Sequence, residues 1–143
     1  MTRGSEAHWD VRFFWRDPED DPAESCPAEA FLDACPQMVA RSLLAILQAV
    51  AESPPPSFTG GGMGEAMHGE MAGFYEARTR GPDRRLYRLY CLLERDRLGL
   101  DRPTVVVIAG LSKPHGTPFR PADYARVRQL AEEYRRHAPA NLA

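Results

Sequence analysis

Four side chains of this sequence draw attention by type and spacing: Arg78, Arg88, Lys113 and His115. Lys113 is the only lysine in a chain of 143 residues. Arg78 closes the segment Tyr75-Glu76-Ala77-Arg78, and Arg88 lies in Tyr87-Arg88-Leu89-Tyr90, on the far side of Gly81-Pro82-Asp83. Lys113 follows the apolar run Val105–Leu111. A guanidinium grips phosphate oxygens through parallel donors, and an ammonium adds a point charge. Two arginines in neighbouring strands and a lysine at the end of a third would therefore cradle a phosphate. His115, between proline and glycine, sits off any regular element, and imidazole is the side-chain type suited to proton transfer near neutrality. Blander readings stand beside these. Arg88 can pair with Glu76 across the hairpin, Arg78 and Lys113 can be solvated, and His115 can be a surface imidazole.

The elements that must position these groups are legible in the pattern. Met71–Thr79, Arg85–Leu93 and Thr104–Leu111 read as three consecutive strands, the last a continuous β-branched run expected of a strand covered on both faces. Gly81-Pro82-Asp83 supplies turn chemistry between the first two. His8–Trp15 reads as a further strand added to that sheet. Pro27–Ala34 forms a short helix with Ser25 as its candidate cap. A second helix runs from Pro36, in its first turn, to about Glu52, with Val39, Leu43, Leu44, Ile46, Leu47 and Val50 at helical spacing. Pro121–His137 is a third helix, with Tyr124, Val127, Leu130, Ala131 and Tyr134 on its apolar face. Asp123 lies near its start and Arg135 and Arg136 near its end, as the helix dipole favours. The order implies an α+β fold. A small, mostly antiparallel sheet of about four strands carries the N-terminal helices on one face, together with a C-terminal helix. We expect a single domain over 1–143, with 1–8 and 138–143 loose and the Pro/Gly-rich 53–64 as an internal loop. Gly60-Gly61-Gly62 lacks the Lys-Ser/Thr that a phosphate loop requires.

Charge is unevenly spread. Residues 1–62 hold 4 Arg against 10 Asp/Glu, whereas residues 63–143 hold 13 Arg and 1 Lys against 10 Asp/Glu, which sums to the net −2 of the chain. A basic C-terminal half suits a polyanion. The acidic stretch 17–24 reads as a Pro-broken loop with nothing that asks to fold, able to cover the basic face in cis. Three cysteines without CxxC spacing point to free thiols in a reducing compartment, and four scattered histidines show no metal-ligand pattern. No cofactor or metal is expected. No segment resembles a signal peptide or a membrane span, so a cytoplasmic protein with no membrane partner is expected.

The stretches FYEAR, YRLY and VVVIAGLSK with Thr117-Pro118, in that order over roughly 65–135, resemble the RelE/HigB-type toxin superfamily, nearest its HigB and phage Gp49-like branch. That resemblance implies the toxin of a type II toxin–antitoxin system, an endoribonuclease cutting mRNA on the ribosome without a metal. It also implies a cognate antitoxin partner, as a homodimer or a hetero-oligomer with it. The alternative is a catalytically inactive member of the same fold that binds an antitoxin or gyrase. The substrate's own 2′-OH would be the nucleophile. Arg88, Arg78 and Lys113 would stabilise the transition-state charge, and His115 would move a proton. Arg120, Arg126 and Tyr134 would contact RNA. Against that, helix-face arginines can be merely solvated and Tyr134 can belong to the core. His137 can transfer a proton or simply suit the end of its helix.

Overall fold

The structure is a computed structural model that describes residues 9–53, 63–95 and 99–143. Strand β1 (Asp10–Phe13) is followed by helices α1 (Pro27–Ala34) and α2 (Gln37–Glu52). Then come β2 (Gly64–Ala66), a 3-10 turn at Gly69–Met71, β3 (Phe74–Arg80), β4 (Arg85–Glu94), β5 (Thr104–Pro114) and α3 (Pro121–His137). The sheet has five strands in the order β1-β5-β4-β3-β2. All pairings are antiparallel except β1 with β5. The α+β class stands, with one strand more than expected. The extra strand is Gly64–Ala66, three residues too short to show alternation, held by pairing with Tyr75, Glu76 and Ala77. The expected loops at 1–8 and at most of 53–64, including Gly60-Gly61-Gly62, lie outside the described residues.

The helices sandwich the sheet. Strand alternation sends Tyr87, Leu89 and Cys91 toward α1 and α2, where they meet Leu32, Val39, Leu43, Leu47 and Val50. Tyr90 and Leu92 point the other way, onto Val127, Leu130, Ala131 and Tyr134 of α3. Val105, Val106, Val107 and Ile108 supply both cores, which is why β5 reads as an unbroken apolar run. A register shift between Tyr90 and Cys91 lets Ile108 and Ala109 share the α3 side. Gly110 then faces α1, where the Phe31 ring occupies the space a Cβ would need. Leu44, expected on the apolar face of α2, is 43% exposed, because Ala51 completes that face instead. Ser25 does not cap α1. Cys26 is its N-cap, and the Ser25 hydroxyl donates to Asp21.

Two expectations about loose segments change. Residues 138–143 close the outer edge of β1: Phe13 N–H donates to the Ala143 carbonyl at 2.7 Å and Trp15 N–H to that of Asn141 at 2.8 Å. The acidic stretch is ordered by its own carboxylates, which accept from the backbone of Glu19, Ala23 and Ser25. It clasps the C-terminal end of α3. Arg16 donates to both oxygens of the buried Glu133, at 2.8 and 2.9 Å, and Arg136 to Asp20 at 2.8 Å.

Candidate anion-binding site

The β3–β4 hairpin builds the site. Its turn spans residues 81–84 and is closed by the Gly81 N–H donating to the Arg85 carbonyl at 2.9 Å. That turn length sets the register: Arg78 stands directly opposite Arg88, and Glu76 opposite Tyr90. Glu76, Arg78 and Arg88 therefore share the sheet face that carries α3, by the period of two. Glu76 is 4% exposed and reaches diagonally to Arg88, which donates to its two oxygens at 2.9 and 3.4 Å. Arg78 touches the same carboxylate at 3.5 Å and pairs with Glu65 on β2. The hairpin pair foreseen between Arg88 and Glu76 is thus made, as a diagonal rather than an opposed contact. Burial pushes the Glu76 carboxyl up, opposed by the guanidinium groups of Arg88 and then Arg78.

Lys113 joins this cluster through an aromatic ring. Phe119, on the loop entering α3, has the Arg88 guanidinium 5.3 Å and the Lys113 ammonium 4.8 Å from its ring centroid. Phe119 leans on Tyr124, which meets Tyr90 edge-on in the core. Nothing in the spacing of the sequence singled out Phe119, because its role depends on α3 folding back over β4 and β5. An open cleft of about 440 Å³ is lined by Met63, Arg78, Thr79, Arg80, Leu86 and Arg88. Beside it, a hollow of about 270 Å³ is lined by Arg80, Gly81, Arg84, Arg85, Leu86 and His115. Arg80 and Leu86 border both, so His115 stands on the adjoining rim rather than beside the Arg88 guanidinium. Its backbone N–H donates to the Arg84 carbonyl at 2.9 Å.

The remaining candidates separate. Arg120 is exposed near Lys113 in a third hollow, and its backbone N–H donates to Asp123 at 3.1 Å, opening α3. Arg126 lies on the exposed face of α3 and donates to Gln129. Tyr134, expected as an RNA contact, is 0% exposed; it packs edge-on against Phe14, and its hydroxyl donates to Glu94. Its helical spacing put it on the core face of α3, and the core reading holds. His137 is ringed by Asp17, Glu19 and Asp20 at 3.4–3.6 Å, at the opposite end of α3 from Phe119. An α-helix of 17 residues spans about 25 Å. The acidic loop therefore covers the far end of that helix, not the basic cleft. Asp17, Glu19 and His137 have ligand atoms within 4.8 Å of one another, a grouping of metal-ligand types that spacing did not foresee. Hydrogen bonds and ion pairs within the clasp account for that grouping.

Among the described residues, no helix is long and apolar enough to cross a membrane. The scan against family models gave no match, and neither the curated proteins nor the solved structures gave one. The likeness to the RelE/HigB toxins rests on the motifs of the sequence.

Proposed function

We propose that the basic end of the sheet binds the phosphate backbone of single-stranded RNA and cleaves it, as the toxin of a toxin–antitoxin pair in the cytoplasm. The observation that carries this reading is the linking of three cations from three strands: Arg78 and Arg88 line one open cleft, and the Phe119 ring bridges Arg88 to Lys113. The substrate 2′-hydroxyl would lose its proton to solvent water and attack the adjacent phosphorus as the bond to the 5′-oxygen breaks, leaving a 2′,3′-cyclic phosphate and a 5′-hydroxyl. Arg78, Arg88 and Lys113 supply fixed positive charge for the phosphorane-like transition state. His115, across the shared Arg80 and Leu86 rim, serves the leaving 5′-oxygen as acid. Arg120 extends the contact along the backbone from the Lys113 side.

The test is expression without a partner, with growth and transcript ends as readouts. Growth arrest together with new 5′-hydroxyl ends on mRNA supports the reading. Normal growth and intact transcripts at confirmed expression overturn it. A second reading is favoured by the two-oxygen grip of Glu76 on Arg88, which neutralises the principal guanidinium. In that case the domain acts by binding alone, to an antitoxin or to gyrase. Growth arrest with intact RNA and broken DNA distinguishes the gyrase form.

A further inference from the structure

We infer that the anion-binding surface continues from the Arg78/Arg88 cleft onto the tip of the β3–β4 hairpin, where Arg80 and Arg84 beside His115 form a second phosphate subsite. This rests on the RNA reading above, and it makes the substrate an extended strand that lays successive phosphates along the hairpin.

Three observations carry it. The tip hollow adjoins the larger cleft, since Arg80 and Leu86 line both. Arg78 and Arg80 alternate to one face of β3 at about 6–7 Å along the strand, so one backbone can touch both.

The distribution of charge is the second observation. Arg78 and Arg88 are engaged by Glu65 and Glu76. Arg80 and Arg84 are exposed and have no carboxylate partner among the described residues, and Arg85 donates to the Ser112 hydroxyl at 3.1 Å. The carboxylate in the turn, Asp83, accepts from the Tyr87 hydroxyl at 2.6 Å and keeps its charge, which acts on Arg85. Positive charge left uncompensated by the fold therefore gathers on Arg80 and Arg84 at the tip, where a polyanion would supply the counter-charge.

The third is the backbone of Arg84, whose φ of 61° lies in the left-handed region that glycine or asparagine fills at least cost. A long cationic side chain held in that conformation points to a role for the side chain rather than for the turn. The His115 N–H donates to the Arg84 carbonyl, so the backbones that carry the imidazole and the Arg84 guanidinium are tied side by side.

The decisive variant is Arg84→Gly, which suits the left-handed backbone better than arginine and so removes the cation without unfolding the turn. Arg80→Gln, at the exposed end of β3, is the second. Binding is measured by fluorescence anisotropy with a single-stranded RNA of ~12 nucleotides and with a dinucleotide that has a single phosphate. For Arg84→Gly we expect an unchanged or raised Tm and dinucleotide binding as in wild type. The longer RNA should bind several-fold more weakly, with its log K against log salt slope reduced by about 0.7. Arg84→Lys should restore that slope. If Arg84→Gly and Arg80→Gln both bind the longer RNA as wild type does, with the same slope, the second subsite is overturned and the RNA reading stands. If wild-type protein binds neither probe, the RNA reading fails, and the subsite with it.

Discussion

Replacing Arg88 by alanine tests the centre of the site through its stability. The guanidinium is the nearest partner of Glu76, whose side chain is 5% exposed against 18% for Arg88. Removing one member of a buried ion pair costs ~3–5 kcal/mol, because the other charge is left uncompensated. Here Arg78 still reaches Glu76 at 3.5 Å, and the pair is not fully dry. The expected loss for Arg88→Ala is accordingly about 2–3 kcal/mol at neutral pH, a large share of a typical domain's ~5–15 kcal/mol. Adding Glu76→Gln removes the stranded charge and should recover about 1–2 kcal/mol, a coupling within the range for residues in contact.

The pH dependence of this loss has a definite sign. Burial holds the Glu76 pKa above its ordinary value, so the folded state retains the proton more tightly than the unfolded chain. Stability tied to this group is present at low pH and declines as pH rises from the ordinary carboxylate range through the raised value. Deleting Arg88 removes the leading influence that opposes that rise. The deficit of Arg88→Ala should therefore be greatest near neutrality and shrink toward pH 4–5. Urea denaturation of wild type, both single variants and the double variant at pH 7 and pH 4.5 measures all of this. A deficit under about 0.5 kcal/mol at pH 7, or one that does not change with pH, would refute the claim that Glu76 depends on Arg88. The double variant is also the proper reference for activity, since it lacks the guanidinium while keeping a compensated core.

Other substitutions separate structure from function. Tyr87→Phe deletes the hydroxyl that most strongly holds Asp83 below the usual carboxylate range. An acid with a depressed folded pKa stabilises the fold above its unfolded value, so the Tm gap between wild type and Tyr87→Phe should narrow as the pH of a thermal scan falls through that range. Gly110→Ala drives a methyl into the Phe31 ring and should cost about 1–3 kcal/mol in chemical denaturation, by prising α1 from β5. Tyr134→Phe removes a buried donor to Glu94 and should cost about 1–2 kcal/mol while leaving RNA affinity unchanged. A specific loss of affinity in that variant would return Tyr134 to the binding surface.

Local pattern was enough to locate most elements. The spacing of Pro121–His137 and of Pro27–Ala34 matched the observed helices end to end, and Thr104–Leu111 lay within β5. These segments carry their own signal, whether a period of 3.6, a β-branched run, or proline at a first turn. Gly64–Ala66 carried none, and only pairing with β3 makes it a strand. The same holds for 138–143, which β1 draws into the sheet edge, and for the acidic loop, whose carboxylates find Arg136 and His137 only once α3 is in place.

The candidate site divides along the same line. Residue type marked Arg78, Arg88, Lys113 and His115 as groups able to hold a phosphate or move a proton. Which of them meet was decided by hairpin register, a single-residue matter that hydrophobic pattern does not encode on a partly polar face. Register set Arg78 against Arg88 and gave Glu76 its diagonal reach, while the β4–β5 pairing of Arg85 with Pro114 set His115 on the neighbouring rim. Packing of α3 across the sheet placed Phe119 between Arg88 and Lys113 and withdrew Tyr134 into the core. The sequence by itself thus determined which charges the chain carries and on which kinds of element. Only the tertiary structure decided which of those charges are spent on each other and which stay exposed, because pair energies fall with distances that no linear spacing specifies.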